Sequence, residues 1–149
     1  MSHHYGKLLL SLLLPVMMLL NITTAQAADK SLADTKIVLQ ISDNDPSKQT
    51  LVLNVANNLI KHYGPESVDV EIVAFGPGLR LLFAENSNSK RIAGLVSNNV
   101  KFSACTNTFN KMTQLLGKPP VLNSNATMVS AGVVRIIDLE NQGYKLIKP

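Results

Sequence analysis

The sequence predicts an α/β protein, a three-layer α/β/α single domain on a mostly parallel five-stranded sheet. Three observations lead there. Short β-branched runs alternate with helical runs from residue 36 to the end of the chain. That alternation is the pattern of parallel strands joined by crossover helices on both faces of a sheet. The first run, Lys36-Ile37-Val38-Leu39-Gln40-Ile41-Ser42, is nearly continuous in apolar character, as suits a strand covered on both sides. The intervening segments carry helix start and stop residues where they are needed.

The elements follow in order. Residues 36–42 form the first strand, and Asp43-Asn44-Asp45 is a polar loop after it. Asp45 is a good N-cap, and Pro46 fits the first helical position. Leu51, Val52, Val55, Ala56, Leu59 and Ile60 then recur at helical spacing until Gly64-Pro65 stops the helix. Residues 68–75 form the second strand, which runs into the turn Gly76-Pro77-Gly78. Short helices are expected over 79–83 and 90–97, and a third strand over 100–104 with Cys105 at its end. Residues 106–116 form a helix with Phe109, Met112, Leu115 and Leu116 on one face, broken by Lys118-Pro119-Pro120. A short fourth strand at 126–129 precedes a helix at 132–141, patterned by Val133, Ile136, Ile137 and Glu140. Gln142-Gly143 stops that helix, and residues 144–147 form the last strand.

The amino-terminal segment has a different character. Lys7 supplies a positive charge, and residues 8–22 are apolar apart from Ser11, Pro15 and Asn21. Ala25-Gln26-Ala27 then matches the small-x-small pattern of a signal-peptide cleavage site. The run is shorter than the roughly 20 residues that a spanning helix needs. Residues 1–27 therefore read as an export signal, 28–35 as a linker and 36–149 as the domain. The predicted location is periplasmic or secreted, with no membrane attachment after cleavage.

Composition excludes several function classes. Without Lys7, 13 basic side chains remain of the 14, against 10 acidic ones, and the two signs are interleaved. Nucleic-acid surfaces need clustered cations with stacking aromatics, so no nucleic-acid partner is predicted. Beyond residue 27 the chain keeps one histidine, His62, and one cysteine, Cys105. A structural zinc site needs four ligands, and Asp43 with Asp45 is too small a set for magnesium or calcium, so no metal is predicted. Gly76-Pro77-Gly78 lacks the spacing of a phosphate-binding loop and reads as a tight turn. No cofactor is predicted.

The chemistry converges on Cys105. Ligands of open parallel sheets collect at the carboxyl ends of the strands. Asp43-Asn44-Asp45, Gly76-Pro77-Gly78 and Cys105-Thr106-Asn107-Thr108 all arrive there. A cysteine at a strand end and a helix start faces free backbone N–H groups, which favour the thiolate. The competing reading is a buried cysteine that packs as a small hydrophobe. His62 sits at the far end of the first helix, so no imidazole is available to make a hydrolase nucleophile of the thiol. Arg80 reads as a surface residue that could also hold an anion near Cys105.

Several segments together resemble the DsrE/DsrF-like family of small sulfur-transfer proteins. They are residues 36–42 with the helix that follows, Val73-Ala74-Phe75-Gly76-Pro77-Gly78 and Phe102-Ser103-Ala104-Cys105-Thr106-Asn107-Thr108. Ser130-Ala131-Gly132-Val133 and Gln142-Gly143-Tyr144-Lys145-Leu146-Ile147-Lys148-Pro149 extend the likeness to the end of the chain. The resemblance implies a doubly wound α/β fold and homo-oligomers, trimers or hexamers. It also implies that Cys105 is the persulfide acceptor, exchanging sulfur with a thiol-bearing protein partner. The export signal departs from the family, whose better-known members are cytoplasmic.

Two functions follow as expectations. The first is a sulfur carrier or thiol relay working through Cys105. The alternative is a non-enzymatic module that binds a small ligand or a protein at Asn44, Gly76, Thr106 and Asn107, with Cys105 as packing. A redox sensor that forms an intermolecular disulfide is a third option.

Overall fold

The computed structural model describes residues 33–149. The expected signal at 1–27, and most of the expected linker at 28–35, lie outside the described residues. The elements are β1 (Thr35–Ile41), α1 (Pro46–Tyr63), β2 (Val68–Ala74), a 3-10 helical segment (Gly76–Leu82), α2 (Ser89–Val96), β3 (Lys101–Cys105), α3 (Thr106–Leu116), β4 (Ala126–Val129), α4 (Gly132–Asn141) and β5 (Lys145–Ile147). The strands are all parallel, in the order β4-β3-β2-β1-β5. This is the three-layer α/β/α fold that the alternation of elements predicts.

Strand order dictates how the layers are filled. From β1 to β4 each strand lies beside the one before it. Right-handed crossovers in one direction put α1, α2 and α3 on the same face. The step from β4 to β5 runs back past β1 and puts α4 on the other face. Packing agrees with this. Ile37, Leu39, Ile72 and Phe102 meet Leu53 of α1, Ile92 of α2 and Met112 of α3 in the larger core. Val38 and Val73 meet Ile136 and Leu139 of α4, with Tyr144, in the smaller one.

The two faces differ in chemistry. Successive strand residues point to opposite sides, so the larger core takes Val70, Ile72 and Ala74 of β2 and leaves Asp69, Glu71 and Val73 to the α4 side. Glu71 is only 1% exposed, yet it is fully partnered. The Arg135 guanidinium donates to it twice, Nε to Oε1 and Nη2 to Oε2, each at 2.7 Å. Ser103 Oγ donates to Oε1 at 2.6 Å. Asp69 accepts from the Tyr144 hydroxyl at 2.6 Å and from Lys101 Nζ at 3.2 Å. Burial pushes the Tyr144 phenol above its ordinary pKa, and the bond to Asp69 adds to the effect. The second face is therefore half polar rather than continuously apolar.

Local signals account for the element ends. The Ser47 N–H donates to Asp45 Oδ1 at 2.8 Å, the N-cap the sequence predicts, with Pro46 at the helix start. The 3-10 segment begins at Gly76, ahead of the expected 79, because Gly76 takes φ 53° and Pro77 enters the turn directly. Gly78 lies against the end of β1: a Cβ there would sit 2.4 Å from the Ile41 carbonyl oxygen. No side chain fits, so this turn is pinned to the strand end.

Two expected apolar faces are corrected. In α3, Met112 is buried and Phe109 half-buried, but Leu115 and Leu116 are 72% and 46% exposed. The helix packs on β3 and the 3-10 segment, and its last turn stays exposed among the described residues. In α4, Ile136 is buried while Val133 and Ile137 are exposed. Among the described residues α4 is the one helix on its face, and no neighbouring helix there covers its flanks.

Arg135→Ala would leave the Glu71 carboxylate buried with only a hydroxyl for partner. Stability should fall by about 3 kcal/mol in chemical denaturation, the lower end for breaking a buried pair because the guanidinium is partly exposed. The double variant Glu71→Gln with Arg135→Met should recover most of that loss, since no unpaired charge then remains.

Candidate functional site

Cys105 ends β3 and caps α3. In the alternation of β3, Phe102 and Ala104 enter the larger core, so Ser103 and Cys105 turn toward α4. The thiol is buried. Around it two helices begin. Asn107 and Thr108 lie in the first turn of α3, and Gly132 is the first residue of α4. The backbone N–H groups of all three, with the Thr108 hydroxyl, favour the thiolate of this sulfur. Burial alone would raise the thiol pKa. The Thr108 hydroxyl first, then the N–H groups of Thr108, Gly132 and Asn107, outweigh burial and hold it below the ordinary value. Cys105 makes no conventional capping bond to α3, so the N–H groups act on it as converging dipoles.

Three supports hold this arrangement. The Gly76 N–H donates to Thr108 Oγ1 at 2.9 Å. That bond occupies an acceptor site on the hydroxyl and leaves its proton for the sulfur. Gly132 packs on Phe75 so closely that a Cβ would sit 2.9 Å from the Phe75 side chain. Glycine therefore allows α4 to begin close over the strand ends. Arg135, one turn further along, ties α4 to Glu71 in the sheet.

A cleft of ≈ 430 Å³ opens at the same edge, between the 3-10 segment and α3. Gly76, Pro77 and Arg80 form one wall, and Asn107, Thr108 and Lys111 belong to the other. Cys105 is not among the lining residues, because its side chain faces the α4 layer instead. Thr108 belongs to both places.

The expected site residues are partly brought together. Gly76 and Asn107 line the cleft, and each also supports the thiol. Thr106 is half-buried at the start of α3 and lines no cleft wall. Asn44 is exposed in the loop after β1 and also stands outside the cleft. Arg80 reaches the cleft rather than the sulfur. Asp43 pairs with Lys48 at 3.2 Å, and Asp45 caps α1. His62 is exposed in the last turn of α1, with its ring edge-on to Tyr63. Thr108 and Gly132 beside the thiol, and Lys111 in the cleft wall, are positions that the sequence alone did not single out. Thr108 had a local signal: it is the third residue after a capping position, where cap side chains meet N–H groups. Gly132 comes from a separate helix and had none.

No protein-family model and no curated protein matches the chain. The chain is similar to a solved structure described as the protein of unknown function MTH1491 from Methanobacterium thermoautotrophicum. The two are 29% identical with a TM-score of 0.69, and the match covers 78% of this chain and 100% of that one. The likeness supports the fold.

The thiolate is the reactive form, so a lowered pKa moves the pH midpoint of alkylation downward. Rates with iodoacetamide should rise with a midpoint below the ordinary value of about 8.5. Thr108→Val keeps the backbone dipoles and removes the hydroxyl, so the midpoint should move back up. A wild-type midpoint at the ordinary value would remove the physical basis for chemistry at Cys105.

Proposed function

We propose that this protein is a periplasmic or secreted sulfur carrier, with Cys105 as persulfide acceptor. The observation that carries the reading is the buried thiol at the end of β3, placed where α3 and α4 both begin. The resemblance to the DsrE/DsrF-like family adds support.

The step balances without an external oxidant. The Cys105 thiolate attacks the outer sulfur of a donor persulfide. The donor S–S bond breaks, the donor leaves as a thiolate, and Cys105 carries the persulfide. A thiolate on a partner protein then attacks the outer sulfur and releases Cys105 as a thiolate. The converging N–H groups favour the anionic sulfur at the start and end of the cycle. They need no base, which suits a site without a histidine.

Incubation with polysulfide should add the mass of one sulfur atom to the wild type and none to Cys105→Ala. An unmodified wild type, or equal addition to both, would overturn the reading.

We also propose that the chain forms a homo-oligomer, a trimer or hexamer, through the outer side of α4. Val133, Val134 and Ile137 are each about half exposed there, at 55%, 49% and 50%. They lie within one turn of each other and would be covered by another copy. Light scattering after size exclusion should give a multiple of the chain mass. Val133→Lys with Ile137→Lys should give monomers that keep the wild-type circular dichroism.

A further inference from the structure

The cleft between the 3-10 segment and α3 carries a charge pattern that the thiol chemistry does not use. Arg80 stands on one wall and Lys111 on the other. Neither forms an ion pair among the described residues. No acidic residue lines the cleft, and neither the 3-10 segment nor α3 contains one. Arg80 lies against the Phe83 ring, 5.8 Å from its centroid, which leaves the edges of the guanidinium for other partners. Besides the polar Asn107 and Thr108, the rest of the cleft is apolar. Pro77, Met112, Leu115 and Leu116 line it, and the two leucines are the exposed end of α3. A leucine 72% exposed beside a concave apolar wall is surface that a bound chain would remove from water.

We propose that this cleft binds an amphiphilic anion, a soluble single-chain carboxylate. Its apolar chain lies along Met112, Leu115 and Leu116, and its head group meets Arg80 and Lys111. The volume of ≈ 430 Å³ lies in the range of small-molecule sites. A planar guanidinium matches a carboxylate in a two-point contact, and the ammonium adds a second charge. This inference gives a chemical class to the ligand-binding alternative at the strand ends. It does not depend on Cys105 being reactive, because the sulfur faces the α4 layer.

Calorimetric titration of the purified protein tests it with octanoate, 1-octanol and acetate. Octanoate should bind saturably, one per chain. Octanol lacks the charge and acetate the chain, so each should bind at least ~10-fold more weakly. Arg80→Gln with Lys111→Gln should weaken octanoate at least ~10-fold and leave octanol unchanged. Leu115→Asn should weaken octanoate and octanol alike. Cys105→Ala should leave octanoate binding as in the wild type. No saturable octanoate binding through the low millimolar range would overturn both the carboxylate and the cleft as a ligand site. Equal binding of octanol and octanoate, unaffected by removal of the two cations, would overturn the anionic class and leave an apolar site. Capture on phosphatidylglycerol vesicles without binding of free octanoate would overturn the soluble ligand in favour of a lipid surface. None of these outcomes bears on persulfide formation at Cys105.

Discussion

The bond between Arg135 and Glu71 sets the geometry on which the thiol depends. A carboxylate in the middle of a central strand has to be neutralised where it stands. The cation that neutralises it comes from α4, and it binds both carboxylate oxygens. This two-point contact fixes the rotation of α4 as well as its distance from the sheet. Gly132 precedes Arg135 by less than one turn, so fixing the guanidinium also fixes the first N–H of the helix over the sulfur. Such a pair adds little net stability compared with apolar packing. Its role here is placement, and a greasy contact would hold α4 without specifying its angle.

Thr108 joins the two chemistries at the carboxyl edge. Its hydroxyl accepts from Gly76 and favours the Cys105 thiolate, while its position in α3 puts it in the cleft wall. Cys105 does not line the cleft, and Thr108 and its neighbour Asn107 reach both places. Gly76 is the partner that orients Thr108, and Gly76 in turn is held by the turn pinned against Ile41. The turn after β2 is thus tied to the end of β1 and to α3, the helix of the next crossover.

Much of the architecture was legible in the residues because local signals agreed with global ones. Asp45 with Pro46, and Gly64, mark the ends of α1 in the chain itself, and they do so in the fold. The spans 106–116, 126–129 and 132–141 coincide with α3, β4 and α4. What was hidden depends on which side of an element meets another. Leu115, Leu116, Val133 and Ile137 have helical spacing and look like core, but spacing does not reveal whether a covering layer exists. Asp69 and Glu71 alternate with valines and isoleucines in β2, which was a visible sign of a mixed face. Cys105, Gly76 and Asn107 were findable because strand ends of a parallel sheet collect function. The cleft was not, since Arg80 and Lys111 meet only through the docking of two separated elements.

The strand order has a consequence for the history of the molecule as it folds. The first strand of the domain pairs with the last, Ile37 beside Lys145 and Leu39 beside Ile147. As the chain emerges from its amino end, β1 to β4 and their three helices can assemble, but one face of that sheet stays open. On that face Lys101 and Ser103 of β3 stand beside Asp69 and Glu71, and Arg135 and Tyr144 join them later. Contacts between distant parts of a chain are slow to form and costly in entropy. An early charged face keeps the unfinished sheet soluble, where an apolar one would invite association. The same carboxylates that cost desolvation in the finished protein keep this face polar beforehand, and the thiol acquires its second helix start only once α4 docks.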